Sequence, residues 1–583
     1  MSQIPSNPQE TPPAPAGPPH HQVLVAGIRW PSAFEFTYLF RGFRMAMDPN
    51  KLVIALLAIV AIYTGGRFFD AVWGPRVYKD EIESFQEQRA SEYLQQRDEK
   101  TDDQKRDLAG RLSDAAAHDS SIQLSQEQID TLSDSPRSAE RILRHAYIRD
   151  FQKNTEGKTI KERADAAEQL KSTMLDMHEK VGTGIFDSFM TYEIQQFDSL
   201  IENTLTFVRI TPMHTDSGGG DQNQAISGGL FSNNPDRIWR SDTVLGCVAN
   251  MTITAPRWLI TGTEPMQWHP PEADAGTWKG WSQTWFFHRL PYLATLFVLL
   301  AFWLVVMAFS GAMLCRLSAL QFAGSEDLGI GQIFKFARSK LPAFITAPLL
   351  PLLIIVVLGA MLSLGGVVGS IPYVGEILLG IFFCLFLAGA FIMTLVLLGV
   401  IGGFNLMYPT IAVEGSDAFD ACSRSWAYVY GAPWRLILYT VISLVYGIIT
   451  LLFVSFAAYL VLALSHTFVG FGTDLFGAAH GHFNGLPKLE TLWPSPKLNQ
   501  LHQPINWWAM NWSEWLGSVF LHFWVFIVIT LVGAYGVSLH YSIHTILYFL
   551  LRRAVEGQSI NDVYKEEEAG DATGVIPTSA AAA

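Results

Sequence analysis

Six apolar stretches constrain this chain more than anything else in it. They run from Leu52 to about Ala71, Tyr292 to Leu314, Ala343 to Val367, Ile377 to Gly399, Leu436 to Ser465 and Leu516 to Ser538. Each approaches the ~20 apolar residues that a helix needs to cross a bilayer core. Backbone groups in hydrocarbon have to be satisfied within their own segment, so each stretch is read as a helix. The fold class that follows is all-α. It is a polytopic membrane bundle of about six spans, with amphipathic elbow helices and a helical outer soluble domain. The first span reads as the weakest, because Gly65-Gly66-Arg67 and Asp70 crowd its end.

Charge assigns the sides. Only 16% of residues are charged against 49% hydrophobic, and the charge gathers between about Tyr78 and Glu202. Arg41, Arg44 and Lys51 precede the first span. Arg316, Lys335, Arg338 and Lys340 fall between the second and third, and Arg424 and Arg435 between the fourth and fifth. Arg552, Arg553 and Lys565 follow the sixth. The loop from Gly366 to Gly375 holds no cation. By the positive-inside rule both termini are cytoplasmic, and the expected location is the cell inner (plasma) membrane. The division is then a Pro-rich disordered tail over 1–22, an amphipathic helix and first span over 23–71, and an outer helical domain over 72–289. A membrane bundle over 290–555 carries an outer insertion at 466–515, and 556–583 is a cytoplasmic tail. The net charge of −13 argues against nucleic acid as a partner.

A short motif recurs beside the spans. Phe322-Ala323-Gly324-Ser325, Ala412-Val413-Glu414-Gly415-Ser416 and Ala554-Val555-Glu556-Gly557 each follow an apolar run. After the first two comes a helix-like stretch, Ile330 to Lys340 and Phe419 to Tyr430, then a proline at the same offset, Pro342 and Pro433. Such elbows would lie flat on the inner leaflet, and the proline would start the next span, where its missing N–H costs nothing. Ser416 is the expected N-cap of the second elbow and Gly431 its stop. Trp426, Val429 and Tyr430 are expected in the interface, with Arg424 wet. Phe36, Leu39, Phe40, Phe43 and Met47, spaced helically before Asp48-Pro49, read as half of a third unit whose other half closes the sixth span.

In the outer domain, Val77 to about Asn154 reads as solvated helices. Phe186, Met190, Ile194, Phe197, Ile201, Leu205 and Val208 form one apolar stripe, expected to pack within its own domain. Val244 to Ile260, broken at Pro256, reads as an interfacial or re-entrant helix. Gly218-Gly219-Gly220 and Ser227-Gly228-Gly229 flank a polar linker and match no phosphate loop. Trp268, Trp278, Trp281 and Trp285, and Trp507, Trp508, Trp512 and Trp515, read as interfacial anchors.

Candidate chemistry is thin. His480-Gly481-His482, with Asp474 and Glu490 as the nearest acids in sequence, and His540 with His544 at i, i+4, are the pairs that could hold a metal. Neither has a third ligand in view, so no metal or cofactor is expected. Cys247, Cys315, Cys384 and Cys422 lack pair spacing and read as small buried residues. No span carries a central Asp, Glu, Lys or Arg, which weighs against ion-coupled transport. Pro348, Pro351, Gly359, Gly365, Gly366 and Gly369 make the third span breakable, although small residues also permit close helix packing. The sequons Asn250-Met251-Thr252 and Asn511-Trp512-Ser513 matter only in a glycosylating compartment. With no catalytic constellation, an enzyme is not expected.

The run Met407-Tyr408-Pro409-Thr410-Ile411-Ala412-Val413-Glu414-Gly415, continued by Ala421-Cys422-Ser423-Arg424-Ser425-Trp426 and Trp434-Arg435, resembles a bacterial inner-membrane family. That family includes the multi-helix membrane domain attached to glycerophosphodiester phosphodiesterases. The likeness covers roughly Tyr292 to Glu556. It implies a multi-helix integral domain with interfacial elbows and carries no catalysis over, because that activity resides in a separate barrel. The expected function is therefore a non-enzymatic scaffold or assembly component, with protein partners met through the outer domain. The alternative is a transporter or channel for a neutral or lipid-like solute.

Overall fold

The computed structural model describes residues 34–73, 103, 105–117, 124–133, 136–155, 157–181, 184–208, 247, 287–324, 329–369, 371, 373–475, 480–498, 501, 503, 505–559 and 562–564. The tails, the polar linker, Val244 to Ile260 apart from Cys247, the sequon at Asn250 and the tryptophans from Trp268 to Trp285 lie outside the described residues. Among those described the chain is helical, without strands. A 3-10 turn, Glu35–Phe40, leads into α1 (Arg41–Ala46) and α2 (Pro49–Trp73). Helical residues 105–117 precede α3 (Gln126–Ser133), α4 (Pro136–Thr155), α5 (Ile160–Val181) and α6 (Ile185–Val208). Then come α7 (Phe287–Ala323), α8 (Ile330–Gly369), α9 (Val374–Glu414), α10 (Ala418–Gly431), α11 (Pro433–Asp474), α12 (Lys488–Leu492) and α13 (Trp512–Glu556).

Six of these helices, α2, α7, α8, α9, α11 and α13, are long and apolar enough to cross a membrane. The chain is an integral, multi-pass membrane protein. The spans overrun the apolar stretches because their ends are capped well outside them. Asn511 and Glu514 form a reciprocal capping box that starts α13. Pro433 starts α11 at its first turn.

The recurring motif has a backbone cause. Gly324, Gly415 and Gly557 all have positive φ, at 69°, 65° and 71°. Each stands where α7, α9 or α13 ends, a conformation open to glycine and costly for other residues. These three glycines define the elbow end of the bundle.

The elbows themselves differ. α10 is a separate helix between Gly415 and Pro433, but Asp417 rather than Ser416 caps it, accepting the Asp420 N–H at 2.9 Å. The stretch from Ile330 to Lys340 is not a separate helix. It runs into α8 straight through Pro342, Pro348 and Pro351. Membrane helices tolerate such prolines, and here Ile333, Phe336, Phe344 and Ala347 are buried around them. The N-terminal half-unit also departs from a flat helix. Leu39, Met45 and Ala46 are buried with Leu539 and Ile543 of α13, while Phe40 and Met47 stay half-exposed. Ser538 donates to the Ala46 carbonyl at 2.9 Å. Residues 39–46 and α13 do pack together, as the split unit requires.

α8 and α9 form a hairpin whose far half stands clear of the rest. No residue of α8 beyond Pro351 is buried, and none of α9 between Gly375 and Val396. Their small residues serve mutual packing: Gly365 lies against Phe386, Gly369 against Leu379 and Gly359 near Met393. A 40-residue helix is ~60 Å long against a ~30 Å core, so this hairpin has to lean in the bilayer or project from it.

At the other end, residues 105–117 and α3–α5 are not merely solvated. Leu108, Leu112, Ile129, Leu143, Phe151 and Met174 make a core shared with Phe483, Trp508 and Ala509, which belong to the connection between α11 and α13. Arg163 donates to the His482 carbonyl at 2.9 Å, and Asn506 to the Ala167 carbonyl at 2.7 Å. The two long non-membrane segments therefore sit at the same end of the bundle and interlock. Trp512 and Trp515 remain exposed at the start of α13, in keeping with anchoring, whereas Trp508 joins that core and Trp507 meets the His522 ring at a tilt.

α6 is where the stripe reading fails. It packs on the membrane helices: Ile185, Phe189 and Tyr192 bury against Leu296 and Trp303 of α7. Ile194 is exposed and the buried line runs through 185, 189, 192, 196 and 200. The supposed weak end of α2 is its dock. A side chain at Gly66 would strike the Phe186 ring, and Asp70 accepts the N–H groups of Phe186 and Asp187 at 3.1 and 2.8 Å.

Candidate functional site: a charged latch at the elbow end

α9 ends in Glu414 and α13 in Glu556, each just before a left-handed glycine. A carboxylate there faces the negative end of its own helix dipole and needs compensation. Tyr548 donates to Glu414 and Tyr428 to Glu556, each at 2.6 Å. Glu414 also pairs with Arg424 and, at 3.1 Å, with Arg552. Arg424 in turn holds Asp420. Burial would pull the Arg424 pKa down, but the Asp420 hydrogen bond and the Glu414 charge more than reverse it and raise it. The Tyr428 phenol is pushed up, by burial first and then by its bond to Glu556.

Four carbonyls around the end of α9 are claimed. Gly415 N–H takes that of Ile411, Arg316 that of Ala412 at 2.7 Å, Tyr564 N–H that of Val413 at 2.8 Å, and Lys340 that of Gly415. Arg316 also reaches the Tyr564 carbonyl at 2.6 Å and lies 4.4 Å over the Phe336 ring. Arg552 donates to the Asp562 carbonyl at 2.7 Å. Residues 562–564 thus strap back across the bundle and join α7, α9 and α13. Chemically this arrangement fixes helix ends.

A second polar cluster sits beside it. Lys51 is fully buried, with Nζ donating to Gln321 at 2.8 Å and Ser542 at 3.3 Å, and Ser542 meets Ser318 at 3.1 Å. Lys51, Arg316 and Arg552, which flank the apolar stretches in sequence, are all buried. Arg316 is held by a carbonyl at the end of α9 and Arg552 by Glu414, whereas Lys51 meets the side chains of Gln321 and Ser542. Arg424 keeps 36% of its side chain exposed while paired with Glu414, but Trp426 and Val429 lie against Gly399 and Gly402 of α9 rather than in the interface.

The histidine pairs are placed as follows. His482 donates its N–H to Glu514 at 2.9 Å and its ring meets Phe483, while His480 bridges to Pro487. Glu490 pairs with His466 at 3.3 Å instead. His540 and His544 have ring centroids 4.2 Å apart on α13. Among the described residues no three metal-capable side chains gather. Cys247, Cys315 and Cys422 are buried and in no disulfide, whereas Cys384 is exposed, against the buried reading, because it lies on the far half of the α8–α9 hairpin. An apolar pocket lies between α2, α6 and α7, lined in part by Ile62, Phe189, Leu300 and Trp303.

Compared with known families, characterised proteins and solved structures, the chain matches none.

Proposed function

We propose that this protein is a non-enzymatic scaffold that mounts a helical domain rigidly on a membrane bundle. The observation that carries this reading is the shared core of α3–α5 with Phe483, Trp508 and Ala509, because it ties the soluble helices to the connection between two spans. The latch supports it: Glu414, Arg316 and Arg552 are spent on fixing helix ends. Partners of the scaffold are proteins met by the mounted domain. The resemblance of 407–426 to the elbow of bacterial inner-membrane domains, together with Arg44, Lys335, Arg338 and Arg435 on the elbow end, supports an inner-membrane location with that end cytoplasmic.

The test uses the full chain. In mild detergent, native electrophoresis should show it in a discrete assembly larger than itself, and loosening the mount with R163A and N506A should shrink that assembly while leaving membrane insertion intact. Purified protein in vesicles should give no sustained flux. Sustained movement of a fluorescent phospholipid or of glycerol would overturn scaffolding. It would favour the second reading, a carrier of neutral or lipid-like solutes, which the free-standing hairpin and the apolar pocket support.

A further inference from the structure

The elbow end sorts its charges into two populations. Glu35, Glu414, Asp420 and Glu556 are engaged by Arg553, Arg424, Arg552 or a tyrosine. Asp417 caps α10 and Asp48 accepts the Asn50 N–H. Among the described residues Arg44, Lys335, Arg338 and Arg435 are exposed with no acid paired to them, while Arg41 lies over the Tyr38 ring. Cations are therefore left over on this side. They stand at the starts of the first, third and fifth spans, which an alternating path through the bilayer places in one leaflet.

Each leftover cation has an exposed aromatic beside it. Phe40 lies one turn before Arg44, Phe334 lies beside Lys335 and one turn before Arg338, and Trp434 precedes Arg435. Trp434 is 81% exposed, which sets its ring outside the protein's own packing. Aromatic rings settle at the headgroup level, and a cation next to one is held at the depth of phosphate. The three aromatic–cation groups stand at the starts of three different spans, which fits a shared layer of lipid headgroups.

We propose that these three pairs bind the phosphate headgroups of anionic phospholipids in the elbow-side leaflet. Each of the four cations contributes about fivefold in preference for an anionic over a zwitterionic lipid.

The test is lipid competition on the full-length protein. Native mass spectrometry in mixed micelles of phosphatidylglycerol and phosphatidylcholine reads the bound ratio. Wild type should prefer phosphatidylglycerol, R44Q/K335Q/R338Q/R435Q should lose the preference, and R44K/R338K/R435K should keep it. Glycerol phosphate without acyl chains should not compete. No preference in the wild type, or an undiminished one in the glutamine variant, overturns the proposal, as does competition by glycerol phosphate. If the glutamine variant does not fold, the wild type decides: its preference should fall steeply as salt rises toward ~1 M, and a salt-independent preference overturns the assignment.

Discussion

Tyr428 and Tyr548 meet edge to face at 5.6 Å; Tyr428 donates its hydroxyl proton to Glu556, which closes the helix of Tyr548, and Tyr548 donates to Glu414, which closes the helix just before that of Tyr428. The crossing joins the second elbow to the sixth span, so the two motif copies ending in Glu414 and Glu556 hold one another. Hydrogen bonds to charged groups are worth about 1.5–3 kcal/mol. Y548F should therefore lower stability by about that amount. E414Q should cost more, toward about 3–5 kcal/mol, because Arg552 is left buried beside a neutral amide. Thermal unfolding in detergent measures both. The double variant should cost less than the two single losses added, since both act on one network; strict additivity would refute the shared latch.

Three glycines with the same backbone role should not respond equally to alanine. At Gly324 and Gly557 an added Cβ meets open space, so only the left-handed conformation is strained, at about 1–2 kcal/mol. At Gly415 the same Cβ falls 2.5 Å from the Tyr564 ring. G415A should be the most damaging of the three and should also release residues 562–564, seen as faster proteolysis of the C-terminal strap. Equal melting temperatures for the three variants would contradict this ordering.

How much of this was legible in sequence follows from the range of the interactions. The spans are readable because their apolar character is local and uniform. The glycine motif is readable as a repeat, but its purpose depends on φ and on partners such as Tyr548, which lies 134 residues from Glu414. Lys51 looks like a flanking cation until α7 and α13 close around it. Gly66 and Asp70 look like flaws in a span until Phe186 and Asp187 arrive from a helix more than a hundred residues later. Pro342 looks like a helix start, because sequence rules weigh the lost hydrogen bond and not the packing of Phe336 and Phe344 on either side.

The dock of α6 is testable at its two contacts. G66V should drive side-chain atoms into the Phe186 ring, whose nearest atom lies 2.3 Å from an ideal Cβ. D70N should weaken the cap by about 1 kcal/mol while keeping its shape. Hydrogen exchange across residues 185–201 reports both. Protection should be lost in G66V, reduced in D70N, and unchanged at α3–α5, whose core is separate. Loss of protection in α3–α5 as well would mean that α6 and the mounted domain unfold as one unit.

The same helix should respond to pH. Burial pushes the Glu193 carboxyl up to about 8 and the Asp198 carboxyl up to about 7. Both are raised above their unfolded values, so the docked state binds more protons than the undocked one over the interval between. Stability then rises wherever fewer protons are taken up by the unfolded state than by the native state as pH falls. The sign is that docking is strongest in mild acid, near the ordinary carboxylate range, and weakens as pH climbs through about 7 and then about 8. Exchange protection of α6 should fall over that climb. E193Q/D198N keeps the shape and removes both titrations, so its protection should stay level across the same interval. A variant that still loses protection as pH rises would place the pH sensitivity elsewhere in the bundle.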